Sequence, residues 1–158
     1  MNKIPSFTVN HLILEPGIYI SRIDKITSET VTSYDLRFTR PNREPVLNTA
    51  EIHTVEHLAA TYMRNHPKYK DDIIYFGPMG CRTGFYFIIK GSHTNEDIYR
   101  FILETFSFIK DYVGEIPGAT PRDCGNYLDQ NLGMAKYISK RYVNDLTKLT
   151  DYTFKYLD

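Results

Sequence analysis

Two histidines and a glutamate lie close together in the segment HTVEHLAATYMRNH, which begins at His53. Residues four apart lie on one face of an α-helix, with Cβ atoms about 5–6 Å apart, so His53 and His57 can offer two imidazole nitrogens to one divalent cation. Glu56 projects from an adjacent part of that face and can exchange a proton with a molecule bound beside the metal. The pattern H-x-x-E-H is the inversion of the zinc-protease helix motif, and it predicts a metal centre with an acid–base group next to it.

The same five residues are also compatible with a solvated helix surface. Apolar residues at Ile52, Val55 and Leu58 favour a different interpretation, because they predict a helix that packs on a core. The two histidines would then face the border of that core.

A catalytic metal needs a third protein ligand and an open position for water or substrate. The candidates are Cys124, Cys81, His11 and the acidic side chains. Cys124, in PRDCG, stands at the expected entrance of a third helix, where the positive end of the helix dipole favours a thiolate. Cys81, in the glycine-rich turn GPMGCRTG, would then be free to shuttle protons. Either cysteine alone could instead be a small buried core residue.

The composition is that of a globular protein with no net charge. The chain has 158 residues, of which 42% are hydrophobic, and 19 basic side chains balance 19 acidic ones. This predicts one domain over residues 1–158 and excludes disorder, collagen and coiled coil. Because nucleic-acid-binding domains usually carry a basic surplus, the neutral balance argues against nucleic acid as a partner.

Neither a secretory signal nor a membrane span is expected. The first residues, MNKIPSFTVNHLILEPG, lack the apolar run of about 7–15 residues that a signal peptide needs. No window approaches the roughly 18 apolar residues of a membrane helix. We therefore expect a cytoplasmic protein without membrane contact, in which the two thiols stay reduced.

The apolar pattern predicts an α+β fold, a mainly antiparallel sheet with helices packed on one face in a two-layer sandwich. In the second strand Tyr34 and Leu36 share one face by the period of two, and Asp35 and Arg37 share the polar face. The first two strands are expected to form a hairpin. Strands are expected at residues 18–26, 30–38, 72–76 and 84–90, and helices from a cap at Asn48 to Pro67, from a cap at Thr94 to about 113, and at 127–144.

Such a sheet leaves its second face uncovered. Strands rich in tyrosine and other apolar residues would expose a patch of the size that usually marks association. A symmetric homodimer is the simplest way to cover it.

Five segments in register resemble one known family. They are SFTVNH, DLRFTRPN, HTVEHLAATYMRNH, GPMGCRTGFYF and EIPGATPRDCG, and their order and spacing resemble LuxS, the bacterial S-ribosylhomocysteine lyases, from about residue 6 to residue 145. The resemblance implies the LuxS fold and the cleavage of S-ribosylhomocysteine to homocysteine and 4,5-dihydroxy-2,3-pentanedione. That reaction belongs to the methyl cycle, and the diketone is the precursor of the quorum-sensing signal autoinducer-2.

The resemblance also implies a role for individual residues. His53, His57 and Cys124 match the family's three metal ligands, which hold Fe²⁺ in the native enzymes and often Zn²⁺ or Co²⁺ after purification. Glu56 matches the general acid–base, and Cys81 matches a second proton carrier.

Three further residues, Ser6, His11 and Arg37, match positions that line the substrate pocket. In the family this pocket lies at a homodimer interface to which both subunits contribute. Two positions depart from the family pattern, since Gly77 stands where serine is usual and Tyr75 where aspartate is frequent. These departures bear on finer contacts to the substrate rather than on the reaction class.

Two other functions stay open at this point. In a metal-dependent hydrolase, Glu56 would activate a metal-bound water, and Cys81 would have no role. In a structural metal-binding module, Cys81 would join Cys124 and the two histidines in a closed four-coordinate site with no position for a substrate. The number of protein ligands on the metal distinguishes these alternatives.

Overall fold

The computed structural model describes residues 1–2 and 4–157. Within them a short 3₁₀ turn at Pro5–Phe7 precedes four strands and three helices, in the order ββαββαα. This confirms the α+β fold class. The elements are β1 (Gly17–Ile26), β2 (Glu29–Arg37), α1 (Thr49–Asn65), β3 (Ile73–Pro78), β4 (Gly84–Lys90), α2 (Asn95–Asp111) and α3 (Leu132–Leu146).

The four strands form one antiparallel sheet in the order β1-β2-β4-β3. The expected hairpin joins β1 and β2, with Ile26 opposite Glu29 and Thr27 in the turn at a φ of 54°. Side chains alternate between the two faces of the sheet, so Tyr34 and Leu36 of β2 point into the core, as predicted.

The helices cover that inner face. Val55 and Leu58 of α1 are fully buried, as are Phe106 of α2 and Tyr142 of α3, and all of them share one core with the inward residues of the sheet. The predicted two-layer arrangement is therefore confirmed. It places α1, with its two histidines, beside β3 and the turn that follows β3.

The helix ends agree with the capping signals in the sequence. The backbone N–H of Asn48 donates to Glu51 Oε1 at 2.8 Å in a capping box, and the Asp97 N–H donates to the Thr94 hydroxyl at 3.1 Å. Helix α1 ends just before Pro67, which cannot continue the helical hydrogen bonding.

Helix α3 begins at Leu132, later than the predicted residue 127. The preceding residues are held by α1 instead, because Thr54 Oγ1 donates to Gln130 Oε1 at 2.7 Å and accepts from the Asn131 N–H at 2.9 Å. Asn131 then caps α3 by accepting from the Met134 N–H at 3.0 Å. Cys124 therefore does not stand at a helix entrance, and the expected role of a helix dipole at this cysteine is wrong.

The expected polar face of β2 is polar but not solvated. Asp35 is 1% exposed and Arg37 is 3% exposed. Both are covered on the outer face of the sheet by Tyr19, Tyr156 and the turn after β3. Among the described helices, none is long and apolar enough to cross a lipid bilayer.

Candidate metal centre and active site

The two histidines of α1 have fixed ring orientations. Nδ1 of His53 lies 2.9 Å from the backbone oxygen of Asp129, and Nδ1 of His57 lies 2.7 Å from that of Pro117. A carbonyl oxygen can only accept, so both Nδ1 atoms carry the proton. Each Nε2 then presents its lone pair, which is the arrangement that metal-binding histidines usually show.

The two lone pairs converge with a sulfur atom. The Nε2 atoms of His53 and His57 are 3.0 Å apart, and Cys124 Sγ is 3.3 Å from Nε2 of His53. All three donor atoms lie within 4.8 Å of one another. Ligands at about 2.0–2.3 Å from a tetrahedral ion stand roughly 3.3–3.6 Å apart, so the three donors fit a single divalent cation.

Cys124 is positioned by turns and not by a helix. Its N–H donates to Thr120 O at 3.0 Å, and the N–H of Asn126 points at Cys124 Sγ at 3.4 Å. These two bonds fix the position of the sulfur beside His53. The cysteine is half-buried and free of any disulfide.

A cavity of about 450 Å³ opens beside His53, one of the three donors. Glu56 lines it together with His53, and among the residues that the structure describes none donates a hydrogen bond to the Glu56 carboxylate. Glu56 is therefore available to a molecule in the cavity. The turn after β3 forms part of the wall through Gly80 and Arg82, which flank Cys81.

The Cys81 thiol belongs to a second cluster, on the outer face of the sheet. Cys81 Sγ lies 3.0 Å from the Thr83 hydroxyl and 3.9 Å from Nη1 of Arg37, and Arg37 also donates to the Thr83 hydroxyl. Arg37 is held in turn by Asp35, through bonds of 3.1 Å from Nε and 2.5 Å from Nη2. The guanidinium is therefore held in a fixed position beside the Cys81 sulfur.

Electrostatics keep this cluster charged. Burial opposes the charge of Arg37, but the adjacent Asp35 carboxylate outweighs it, so the pKa of Arg37 is raised. Burial raises the pKa of Asp35, while Arg37, Tyr156 and more weakly His11 oppose that rise. His11 therefore lies near the Arg37 cluster.

The predicted site residues fall into three groups. His53, His57 and Cys124 bring their donor atoms to one point, His53 and Glu56 line the cavity, and Cys81 lies in the turn that borders it. Arg37 belongs to the cluster on the outer face, and His11, whose charge acts weakly on Asp35 of that cluster, places its Nδ1 2.9 Å from Val9 O. Ser6 lines a separate surface hollow together with Arg22 and Tyr156.

Sequence reasoning missed several residues that hold this site. The backbone oxygens of Pro117 and Asp129 fix the orientation of the imidazoles. Every residue type has a backbone carbonyl, so the sequence gives no signal for this role. Thr83 had a weak signal, since it follows Cys81 by two residues, the spacing that places side chains on one side of an extended segment. Tyr156 had none.

The α+β sandwich aims two imidazoles and a thiol at one point, and Glu56, which accepts no hydrogen bond from another described residue, lines the adjoining cavity. This arrangement defines the class of small metal-dependent enzymes with acid–base chemistry. The chain belongs to the LuxS family. The family model described as S-Ribosylhomocysteinase (LuxS) matches residues 4–153, which confirms the resemblance found in the sequence.

Named relatives match over almost the whole chain. The S-ribosylhomocysteine lyase of Clostridium acetobutylicum is 54% identical over 156 residues, which cover 99% of this chain and 99% of the relative. The S-ribosylhomocysteine lyase of Finegoldia magna is 57% identical over 149 residues, or 94% of both chains. That of Porphyromonas gingivalis is 56% identical over 146 residues, or 92% of both.

Proposed function

We propose that this chain is a carbon–sulfur lyase that cleaves S-ribosylhomocysteine to homocysteine and 4,5-dihydroxy-2,3-pentanedione. Its family and the names of its relatives support this substrate. The observation that carries the proposal is the convergence of His53, His57 and Cys124 at one point, with Glu56 lining the cavity next to His53 and accepting no hydrogen bond from another described residue.

The proposed cofactor is one divalent ion per subunit, with Fe²⁺ as the native metal and Zn²⁺ or Co²⁺ as substitutes. His53, His57 and Cys124 would hold it. When bound, the ion would supply Lewis-acid polarisation of the carbonyl and hydroxyl oxygens of the sugar. Three protein ligands leave a coordination position free for the substrate.

The chemistry of the substrate sets what the side chains must do. The carbonyl of the open-chain sugar has to move from C1 to C3 before homocysteine can leave as a thiolate by β-elimination. Each shift removes a proton from the carbon next to the carbonyl, returns one to the former carbonyl carbon, and passes a hydroxyl proton between neighbouring oxygens. No oxidant is consumed, so the enzyme needs groups that carry protons.

Glu56 and Cys81 are the proposed proton carriers. The Glu56 carboxylate lines the cavity without a hydrogen bond from another described residue. The Cys81 sulfur stands 3.9 Å from Nη1 of the Arg37 guanidinium, and the neighbours of Cys81 in the turn line the same cavity. Both thiols must stay reduced in this mechanism, which supports a cytoplasmic location for the single domain of residues 1–158.

The proposed assembly is a homodimer that shares its sites. On the outer face of the sheet Val31, Ile88 and Tyr75 form an apolar strip, and Tyr75 is 43% exposed. The segment before β1 exposes further apolar side chains, Phe7 and Leu12 among them. An interface there would bring Ser6 and His11 to a pocket shared with Arg37, in their proposed roles as substrate-binding residues.

Mixed dimers test the shared pocket. Equal amounts of the His11→Ala and Glu56→Gln variants, unfolded and refolded together, form heterodimers with one intact site if each site draws on both chains. Such a mixture should regain on the order of a quarter of the wild-type activity. No gain over the separate variants would contradict a shared site, and sedimentation of the unmixed protein as a monomer would contradict the dimer.

The activity itself is tested by adding S-ribosylhomocysteine to metal-loaded protein and titrating free thiol with time. Homocysteine should raise the thiol count above the protein's own two cysteines. No increase would contradict the proposed function. A Cys81→Ala variant that keeps its metal but loses activity would exclude a hydrolase, which has no need of this thiol.

A structural metal module is disfavoured by the surroundings of Cys81. Its sulfur contacts Thr83 and Arg37 and is not among the three donor atoms that meet at His53. A closed four-ligand site would require Cys81 there.

A further inference from the structure

The C-terminal segment, residues 149–157, is attached to the domain at several points. Asn95 Nδ2 donates to Tyr152 O at 2.7 Å, and the Tyr152 ring packs on Tyr99 with centroids 4.4 Å apart. Phe154 is 4% exposed and belongs to the core. The segment is therefore packed against the domain as part of its fold.

The segment also closes the edge of the sheet. β1 is an edge strand with an irregularity between Ile20 and Arg22, and the Ile20 N–H donates to Phe154 O at 2.7 Å. Phe154 has a φ of 54°, which turns the chain toward the outer face of the sheet. Tyr156 then stacks on Tyr19, with ring centroids 5.0 Å apart and an angle of 5° between the planes.

This placement brings the Tyr156 hydroxyl to a buried carboxylate. Tyr156 donates to Asp35 Oδ2 at 2.9 Å. Asp35 accepts two bonds from Arg37, and Nη1 of Arg37 lies 3.9 Å from Cys81 Sγ. A continuous line of contacts thus runs from the end of the chain to the thiol.

We propose that Tyr156 is a positioning residue for Cys81, acting through Asp35 and Arg37; this rests on the proposed role of Cys81 as a proton carrier. Two parallel bonds join Arg37 to Asp35, and Arg37 also donates to the Thr83 hydroxyl, so the guanidinium side of the pair is anchored. The third bond, from Tyr156, ties the carboxylate to a ring that is itself held against Tyr19. The guanidinium is thereby kept beside the sulfur.

The hydroxyl keeps its proton throughout the working pH range. Burial and the negative charge of Asp35 both raise the pKa of Tyr156. Tyr156 therefore remains a donor to Asp35 and does not compete with Cys81 as a base.

The test replaces Tyr156 by phenylalanine, which keeps the stacked ring and removes the hydroxyl. The matched control is Tyr152→Phe, which removes a hydroxyl from the same segment without a contact to Asp35. In metal-loaded protein, the rate at which iodoacetamide alkylates Cys81 at pH 7 is followed by peptide mass spectrometry, with Cys124 as an internal reference. Turnover and melting temperature are measured on the same samples.

For Tyr156→Phe we expect kcat to fall about tenfold, on the scale seen when an outer hydrogen bond that orients an active group is lost. KM should change little, and the alkylation of Cys81 at pH 7 should slow while that of Cys124 does not. Tyr152→Phe should match wild type in both readouts. Because Tyr156 is half-exposed and phenylalanine keeps its stacked ring, the variant should fold.

A Tyr156→Phe protein with wild-type kcat and unchanged alkylation of Cys81 would overturn the inference. The proposed function would survive that result if wild-type protein still released thiol from S-ribosylhomocysteine. Conversely, wild-type protein that released no thiol would remove the proposed function, while the alkylation rates would still report whether Tyr156 acts on Cys81.

Discussion

The ring of Tyr75 occupies the space that a side chain at position 77 would need. A Cβ atom built on Gly77 would overlap the hydroxyl end of Tyr75, which folds back along β3. The two departures from the LuxS pattern are therefore one structural change, because the tyrosine requires the glycine. Both residues lie on the outer face of the sheet, on which the proposed dimer would form.

A double-mutant cycle measures this dependence. Gly77→Ser should force the Tyr75 ring outward and lower the free energy of unfolding by about 1 kcal/mol, at the lower end of overpacking costs because the ring end is mobile and half-exposed. In a Tyr75→Ala background the same serine should cost nothing. Urea unfolding of the four proteins gives the coupling energy, and equal costs in both backgrounds would show that the ring and position 77 do not interact.

Metal removal should lower stability without unfolding the domain. The donor atoms lie at the border of the core, and Val55 and Leu58 on the same helix stay packed without them. A ligand present at about 100 times its dissociation constant stabilises a fold by about 2.7 kcal/mol, so metal should raise the melting temperature by several degrees. Calorimetry with Zn²⁺ and with a chelator measures the shift.

The control for metal binding is a pair of variants. His57→Ala should lose both the metal and the shift in melting temperature, while Cys81→Ala should keep both. Loss of metal from Cys81→Ala would place this sulfur among the ligands.

Breaking the buried pair of Asp35 and Arg37 should be costly. Asp35→Asn leaves the guanidinium of Arg37, which is 3% exposed, without its counter-charge. Removing one partner of a buried pair typically costs about 3–5 kcal/mol. Arg100→Ala, which removes an exposed pair with Glu96, should cost about 0.5 kcal/mol or less. Urea unfolding compares the two, and similar losses would mean that the buried pair is solvated in solution.

Glu44 should make stability depend on acid pH. Burial alone would raise its pKa, but bonds from the backbone and guanidinium of Arg40 outweigh burial, so the pKa of Glu44 is lowered from 4.5. A lowered pKa in the folded state means that this stabilisation is present at neutral pH and is lost as the pH falls through the folded-state value. Glu44→Gln should therefore be less stable than wild type at pH 7, by under about 1 kcal/mol for a largely solvated network.

The difference between Glu44→Gln and wild type should shrink as the pH falls through the lowered folded-state pKa of Glu44, because the protonated side chain is neutral like glutamine. Urea unfolding at pH 7, 5 and 3 follows it. Glu115→Gln serves as a control, because the Glu115 carboxylate is exposed and forms no ion pair with another described residue. A constant difference at all three pH values would contradict the role of Glu44.

Local signals in the sequence were enough to predict most of the fold. Apolar periodicity and the caps at Asn48 and Thr94 predicted α1 and α2 within two residues, since both signals act within one or two helical turns. The spacing of His53 and His57 likewise predicted a shared ligand position, because a helix fixes the geometry of residues four apart.

What failed depended on contacts between distant segments. The apolar pattern of residues 127–131 favoured a helix, but bonds from Thr54 hold Gln130 and Asn131 in another conformation. The alternation predicted that Asp35 and Arg37 share a polar face, but nothing near them in sequence indicates that Tyr156 covers it. The roles of Ser6 and His11 stay predictions.

The loop between α2 and α3 buries few side chains, so its conformation depends on its hydrogen bonds to the two imidazoles. The backbone oxygens of Pro117 and Asp129 accept from the rings of His57 and His53. Cys124, which lies between these two residues in sequence, places its sulfur against His53. Surface loops normally accept insertions readily, since each added residue costs little closure entropy. In this loop an inserted residue would move the carbonyl of Pro117 or Asp129, or the sulfur of Cys124, away from the histidines. We therefore expect insertions and deletions among related chains to lie outside residues 117–129.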